Sequence, residues 1–149
     1  MERNLKTELS DYLVRYRKTV EAAAEEMRDQ EMPVCTEALF SLFESTGNRN
    51  QYHAVYFGRR KFLAFFGLLC IVRKDRDDLV KLEEVITGIC KEECWALPAH
   101  VDRSSNPDWR ITVDLFSSET AHALAEIITL LKDELSEAVK QLAINNIKS

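Results

Sequence analysis

Apolar residues recur at steps of three and four along most of the chain, which predicts amphipathic α-helices. The first predicted helix ends before Met32-Pro33, because proline disfavours helical geometry in the residue before it. A short second helix ends in the turn-forming run Ser45 to Asn50. The apolar face of the first helix comprises Leu5, Leu9, Tyr12, Leu13, Tyr16, Val20, Ala23, Ala24 and Met27, and that of the second comprises Leu39, Leu42 and Phe43.

The third predicted helix is apolar around most of its circumference, so it needs neighbours on several sides. Arg59 lies on its main stripe, and a buried guanidinium requires an anionic partner. The polar turn Lys74 to Asp78 follows, where Asp75 or Asp77 can cap a fourth helix. The stripe of the third helix comprises Tyr52, Val55, Arg59, Phe62, Phe66 and Leu69, and that of the fourth comprises Leu79, Leu82, Ile86, Ile89 and Cys90.

The helical pattern stops from Ala96 to Val113, which predicts a long connection without regular structure, of a kind that is often functional. A fifth helix is expected to begin with Ser117 or Ser118 as its cap, and a sixth to run from about Leu135 to Ile147. No strand pattern is found. We therefore predict one all-α domain over residues 1–149, in which mostly buried and amphipathic helices alternate as in stacked helical hairpins.

Composition restricts the possible partners. The 149 residues include only 4 Gly and 3 Pro, and the net charge is −5. An acidic chain has no general attraction for nucleic acid or for an anionic membrane. The longest apolar run, Phe62 to Val72, is too short to span a bilayer, and the N-terminus lacks the features of a signal peptide. We expect a cytoplasmic protein whose four cysteines are reduced thiols.

The connection between the fourth and fifth helices holds most of the side chains with recognisable chemistry. Indole faces suit the C–H faces of sugar rings, while cationic, amide and acidic groups suit their hydroxyls and carboxylates. This predicts a substrate-binding set comprising Trp95, His100, Asp102, Trp109 and Arg110. The alternative is that both tryptophans close the hydrophobic core and that the charged residues are solvated.

Cys90, Cys94 and His100 suggest a zinc site, but structural zinc takes four ligands and the fourth would be remote, at Cys35 or His53. Cys90 also fits the buried stripe of the fourth helix. We therefore assign no metal, no cofactor and no catalytic residue.

Two motifs resemble those of the heparinase II/III family of proteins. The segment CWALPAH (Cys94 to His100) precedes TVDLFSSETA (Thr112 to Ala121), where that family has a WALPAH-like loop followed by an IDLFAAETA-like helix start. The upstream GRR helix and the LEEVITGICKEECW helix are similar in layout. The resemblance spans Tyr52 to Asn146.

The resemblance implies part of an incomplete α/α toroid made of helical hairpins, with a substrate cleft across one end. Family members are polysaccharide lyases that cleave uronic-acid polymers by β-elimination. Their catalytic Asn, Tyr and His residues come from later helices and a β-sandwich, and no position here matches them. The Trp95 to Asp114 loop would form a cleft wall that His100 helps to shape.

Under this interpretation the chain is the N-terminal portion of a longer lyase. The helical pattern, which continues to the last residues of the chain, agrees with that interpretation. The chain would then be inactive alone and would bind polysaccharide or oligosaccharide within the complete protein. An uncovered apolar face would favour a homodimer. The alternative is a stand-alone, non-catalytic helical interaction protein in which the loop from Ala96 to Val113 is packed.

Overall fold

The computed structural model describes the backbone of residues 2–148 and the side chains of residues 10–148. Within residues 2–148 the chain forms six α-helices and no strand, so the all-α prediction is confirmed. The helices are α1 (Glu2–Arg28), α2 (Glu37–Thr46), α3 (Asn50–Arg73), α4 (Arg76–Cys90), α5 (Leu115–Leu130) and α6 (Glu137–Lys148).

Helix α3 lies at the centre of the fold and packs against α1, α2, α4 and α5. Its predicted need for neighbours on several sides is confirmed, since Phe62, Leu63, Phe66 and Leu69 are all buried. A Cβ at Gly67 would lie 2.7 Å from Cδ1 of Ile127, so glycine allows α3 and α5 to approach closely. No helix within residues 2–148 is long and apolar enough to cross a membrane.

Only the C-terminal part of α1 joins the core. Val20 and Ala24 are buried, whereas Tyr12, Leu13 and Tyr16 on the same predicted face are about half exposed. The side chains of Leu5 and Leu9 lie outside the described residues. The stripe continues past the point where α3 offers a surface to pack on, so periodicity alone overestimated how much of α1 is buried.

The segment between α4 and α5 is more ordered than the sequence predicts. It contains two short 3-10 helices, Pro98–His100 and Trp109–Ile111. Its apolar residues form a second, smaller core with α2 and the first turns of α3, made of Phe40, Tyr52, Tyr56, Cys94, Ala96, Leu97 and Trp109. The expectation of a connection without regular structure was therefore wrong, because these side chains gain a packed environment that periodicity cannot reveal.

Arg59 joins four segments of the chain from its buried position on α3. Its Nε donates to Glu92, just after α4. Its Nη1 donates to the carbonyl of Pro33 in the α1–α2 connection at 2.6 Å, and its Nη2 to the carbonyl of Gly88 in α4 at 2.7 Å. The anionic partner that the sequence requires for Arg59 is thus Glu92, whose side chain is 4% exposed.

Arg60 shares the same carboxylate. Its two terminal nitrogens donate to the two oxygens of Glu92 at 2.7 and 2.8 Å, a bidentate pairing. Paired, charge-assisted hydrogen bonds of this kind are among the stronger polar contacts in proteins. Among the described residues, Glu92 is therefore the carboxylate on which two largely buried guanidinium groups depend.

We predict that Glu92→Ala lowers the free energy of unfolding by about 3–5 kcal/mol, because it leaves buried cations without an anion. Urea denaturation followed by circular dichroism would measure the loss. The neighbouring Glu93 is a matched control: its side chain is 61% exposed, and Glu93→Ala should change stability by no more than about 0.5 kcal/mol. Equal effects of the two substitutions would show that the cluster is not a stabilising centre.

Candidate functional site

The candidate site lies where the start of α5 meets the loop that follows α4. Asp114, not Ser117 or Ser118, is the N-cap of α5. One oxygen of Asp114 accepts from the N–H of Ser117 at 2.7 Å, and Oγ of Ser117 accepts from the N–H of Asp114 at 2.8 Å. This reciprocal capping box starts the helix three residues earlier than the predicted serine cap at Ser117.

The second oxygen of Asp114 reaches back to the loop. It accepts from the N–H of Leu97 at 3.1 Å and from Nδ1 of His100 at 2.6 Å. Burial alone would raise the pKa of Asp114, but the hydrogen bonds from Ser117, His100 and Leu97 outweigh it and hold that pKa below its ordinary value. Asp114 is consequently an anion that fixes both the loop and the helix.

His100 has one ring nitrogen held by Asp114 and a side chain that is 44% exposed. Its ring stacks on Phe116, with 6.0 Å between centroids and 18° between planes. Because a carboxylate only accepts hydrogen bonds, the nitrogen facing Asp114 carries the proton, and Nε2 is the ring nitrogen left to meet a ligand. His100 is thus oriented rigidly at the surface.

Tyr56 closes the base of the site from α3. Its hydroxyl lies 2.9 Å from the carbonyl of Trp95, 3.2 Å from that of Phe116 and 3.2 Å from Oγ1 of Thr120. Burial raises the pKa of Tyr56, so the phenol stays protonated. Tyr56 therefore ties the loop and the first turns of α5 to α3 by hydrogen bonds.

Of the five predicted binding residues, two line one cavity. Trp95 and Arg110 border a cavity of about 310 Å³, together with Thr112, Ser117, Ser118 and Asn146. Trp95 is half-buried, and its Nε1 donates to the carbonyl of Ile89 at 3.0 Å. The side chain of Arg110 is 57% exposed, and its Nη2 lies 3.9 Å from the carboxylate of Glu93.

Trp109 does not offer its ring to solvent. It is 7% exposed, packs on Phe40 and lies beneath the guanidinium groups of Arg103 and Arg110, at 4.9 and 4.3 Å from the ring centroid. The sugar-stacking role predicted for Trp109 is therefore not available in this conformation. The alternative expectation, that this tryptophan closes a core, describes its environment.

Asp102 stabilises the turn that follows Val101. It accepts hydrogen bonds from the backbone and side chains of Ser104 and Ser105. The bonds from Ser105 and Ser104 lower the pKa of Asp102 to about 2, so it is ionised at neutral pH. Its oxygens are engaged in this turn, and it does not border the cavity that Trp95 and Arg110 line.

Within the described residues, no group of three or more His, Cys, Asp or Glu side chains is arranged to hold a metal ion. Cys90 and Cys94, two members of the considered zinc set, are buried, and Sγ of Cys94 lies 3.5 Å from the carbonyl of Trp109. Burial raises the pKa of Cys90 to about 11, which favours the protonated thiol over the thiolate that a metal would require.

The residue pattern did not identify Glu92 and Asp114 as the residues whose hydrogen bonds organise the site. Glu92 lies in the polar run KEE, a pattern that is typical of a solvent-exposed segment. Its position between two buried cysteines, Cys90 and Cys94, was the one signal that it turns inward. Asp114 stands three residues before Ser117, the spacing of a capping box, and that spacing could have identified it.

No family model and no curated protein matches the chain.

We predict that Asp114→Ala lowers the free energy of unfolding by about 2–3 kcal/mol at neutral pH, because a helix cap and the Leu97 and His100 contacts are lost together. The folded-state pKa of Asp114 lies below its unfolded value, so its contribution is present above that unfolded value, near 3.8, and fades as the pH falls through the folded pKa. Denaturation of both proteins at neutral and acidic pH would measure this.

Ser118→Ala is the control, since Ser118 is exposed and its hydroxyl donates to a carbonyl that the cap does not need. A difference in stability between wild type and Asp114→Ala that stays constant down to pH values well below 3.8 would contradict the assignment.

Proposed function

We propose that this chain is the N-terminal portion of the α/α toroid of a heparinase II/III-like polysaccharide lyase, and that it contributes one wall of a cleft for uronic-acid-containing polysaccharide. The observation that carries the proposal is that the separate segments of the resemblance form one contact network. The GRR segment pairs with the KEECW segment through Arg59, Arg60 and Glu92. The WALPAH segment pairs with the DLFSSETA segment through His100 and Asp114.

Residues that contact one another cannot change independently. Two proteins that share this helical arrangement are therefore expected to share both members of each contacting pair of segments. In this proposal the motifs chiefly build the wall: Asp114, Glu92 and Tyr56 are occupied by structural hydrogen bonds. The groups that this proposal assigns to the sugar are His100 and Arg110, whose side chains are 44% and 57% exposed. In this proposal, removal of the C5 proton and protonation of the leaving oxygen belong to residues of the complete lyase outside this chain.

His100 and Arg110 suit an acidic sugar. A guanidinium that is more than half exposed can donate two parallel hydrogen bonds to a uronate carboxylate. The imidazole, held by Asp114, presents its remaining nitrogen to a hydroxyl or a ring oxygen. The overall charge of −5 gives no long-range attraction for a polyanion, so binding must rest on such local contacts.

We predict that the purified chain binds an oligouronate in isothermal titration calorimetry and that Arg110→Ala weakens binding about tenfold, the cost of a lost charge-assisted pair. His100→Ala should weaken it as well, since one contact to the sugar is lost. His122, a histidine on α5 that is 73% exposed, provides the matched control, and His122→Ala should bind as the wild type does. Failure of the wild-type chain to bind any oligouronate would overturn this part of the proposal.

A second candidate function is a non-catalytic helical interaction protein, favoured by two observations. Part of the loop from Ala96 to Val113 is packed, since Ala96, Leu97 and Trp109 are buried. In addition, Tyr12, Leu13 and Tyr16 form an exposed apolar face on α1 that continues its buried stripe. Unpaired apolar faces of this kind mark association sites, and the occupant we propose is a second copy of this chain.

If a homodimer forms through this face, Leu13→Glu should convert it to a monomer in sedimentation-velocity experiments, because a buried, unpaired carboxylate opposes association. Val80 on α4 is 54% exposed and serves as the control site: Val80→Glu should leave the dimer intact. A wild-type chain that stays monomeric up to high micromolar concentration would exclude this role for α1.

A further inference from the structure

A second cavity, of about 210 Å³, opens between α3 and α5. Its side walls include Phe57 and Phe116, and Tyr56 and Arg60 lie at its base. The exposed carboxylate of Glu119 stands at its mouth. This cavity is separate from the one that Trp95 and Arg110 border, and the residues predicted from sequence include none of its lining.

The walls are aromatic and accessible. Phe57 is 40% exposed, and its ring meets that of Phe116 at 5.5 Å between centroids and 71° between planes. His100 stacks on Phe116, so the cavity adjoins the loop face that carries His100. Flat apolar rings at the edge of a cavity suit the C–H faces of a sugar, and desolvating them on binding is favourable.

The charges in and around the cavity disfavour an anionic ligand. Arg60 binds Glu92 through both terminal nitrogens, but it shares this carboxylate with Arg59, so the three groups together carry one positive charge. Glu119 adds a further negative charge at the mouth. With Glu119 included, the four groups carry no net charge, so a carboxylate entering here would meet no net positive charge to offset the cost of its desolvation.

Hydrogen-bonding capacity nevertheless remains. A guanidinium has five N–H groups. Among the described residues, Arg60 uses three of them, one to Oγ1 of Thr120 and two to Glu92. Glu119 supplies acceptor oxygens at the mouth. Donors and acceptors without net positive charge, beside aromatic walls, match the vicinal hydroxyls of a neutral sugar ring.

We propose that this cavity is a subsite for one uncharged pyranose ring, recognised through its hydroxyls by Arg60 and Glu119 and through its apolar face by Phe57 and Phe116. The volume is below the roughly 300–1,000 Å³ of sites for drug-sized ligands, which suits a single ring. The subsite rests on the carbohydrate binding proposed above and adds to it a position that selects against uronates.

Amide chemical shifts of the isotope-labelled chain test the proposal, with methyl β-glucopyranoside and glucuronate as the two probes. We expect the neutral glycoside to shift the amides around Phe57 and Phe116, and glucuronate to shift them less at equal concentration. Phe57→Ala should weaken glycoside binding about fivefold, because the stacking face is lost. Both Phe57 and Glu119 are exposed, so their substitution should leave the fold intact, which circular dichroism would check.

The two substitutions of Glu119 separate hydrogen bonding from charge. Glu119→Ala should weaken glycoside binding about fivefold, whereas Glu119→Gln should retain it and improve glucuronate binding, since amide and carboxylate both accept hydrogen bonds. Leu130→Ala and Glu126→Ala remove an exposed apolar side chain and an exposed carboxylate elsewhere on α5, and both should bind as the wild type does.

Preferential binding of glucuronate in this cavity, or unchanged glycoside affinity in Phe57→Ala, would overturn the subsite. Oligouronate binding that depends on Arg110 would then still support the proposed function. Conversely, glycoside-induced shifts at the cavity in a chain that binds no oligouronate would support the subsite and count against the lyase relationship.

Discussion

The fold depends on a carboxylate, Glu92, that lies between two arginines. Arg59 and Arg60 are adjacent on α3 and both point away from water, so each requires charge compensation inside the protein. Glu92 supplies one negative charge that both arginines share, and the carbonyls of Pro33 and Gly88 complete the hydrogen bonding of Arg59. This cluster fixes where the α1–α2 connection, α4 and the loop after α4 meet α3. Helices positioned by apolar packing alone would slide more easily against one another.

The conformation of the loop after α4 depends on this cluster of Arg59, Arg60 and Glu92. Glu92 fixes its beginning, Tyr56 holds the carbonyl of Trp95, and Asp114 fixes its end by capping α5 while binding Leu97 and His100. A segment with two prolines and few helix formers thereby becomes a rigid part of the molecule. Rigidity of this kind is what a binding surface needs, because contacts that are already ordered lose little conformational entropy when a ligand arrives.

The polar residues of the loop divide between structure and surface. The carboxylate oxygens of Asp114 and Asp102 accept hydrogen bonds from within the chain, and Trp109 is covered by two guanidinium groups. His100 and Arg110 remain partly exposed. The aromatic rings that do face outward beside His100 are Phe57 and Phe116, from α3 and α5. The partly exposed surface around His100 therefore extends from the loop onto two helices, and it is this surface that the proposed sugar binding would use.

The sequence by itself determined the helices and much of the core, because the steps of three and four that mark a buried face are local properties of the chain. It also determined that Arg59 needs an anion and that Asp75 or Asp77 can cap α4. The structure places Asp75 at the N-cap, where its side chain accepts from the N–H groups of Asp77 and Asp78. The sequence could not identify Glu92 as the anion for Arg59, since the two residues are 33 positions apart and only the packing of α3 against α4 brings them together. For the same reason, the tertiary structure decided which tryptophan is buried, how much of the apolar face of α1 is covered, and which residues Asp114 binds. Burial and hydrogen-bond partners depend on neighbours that are distant in the chain.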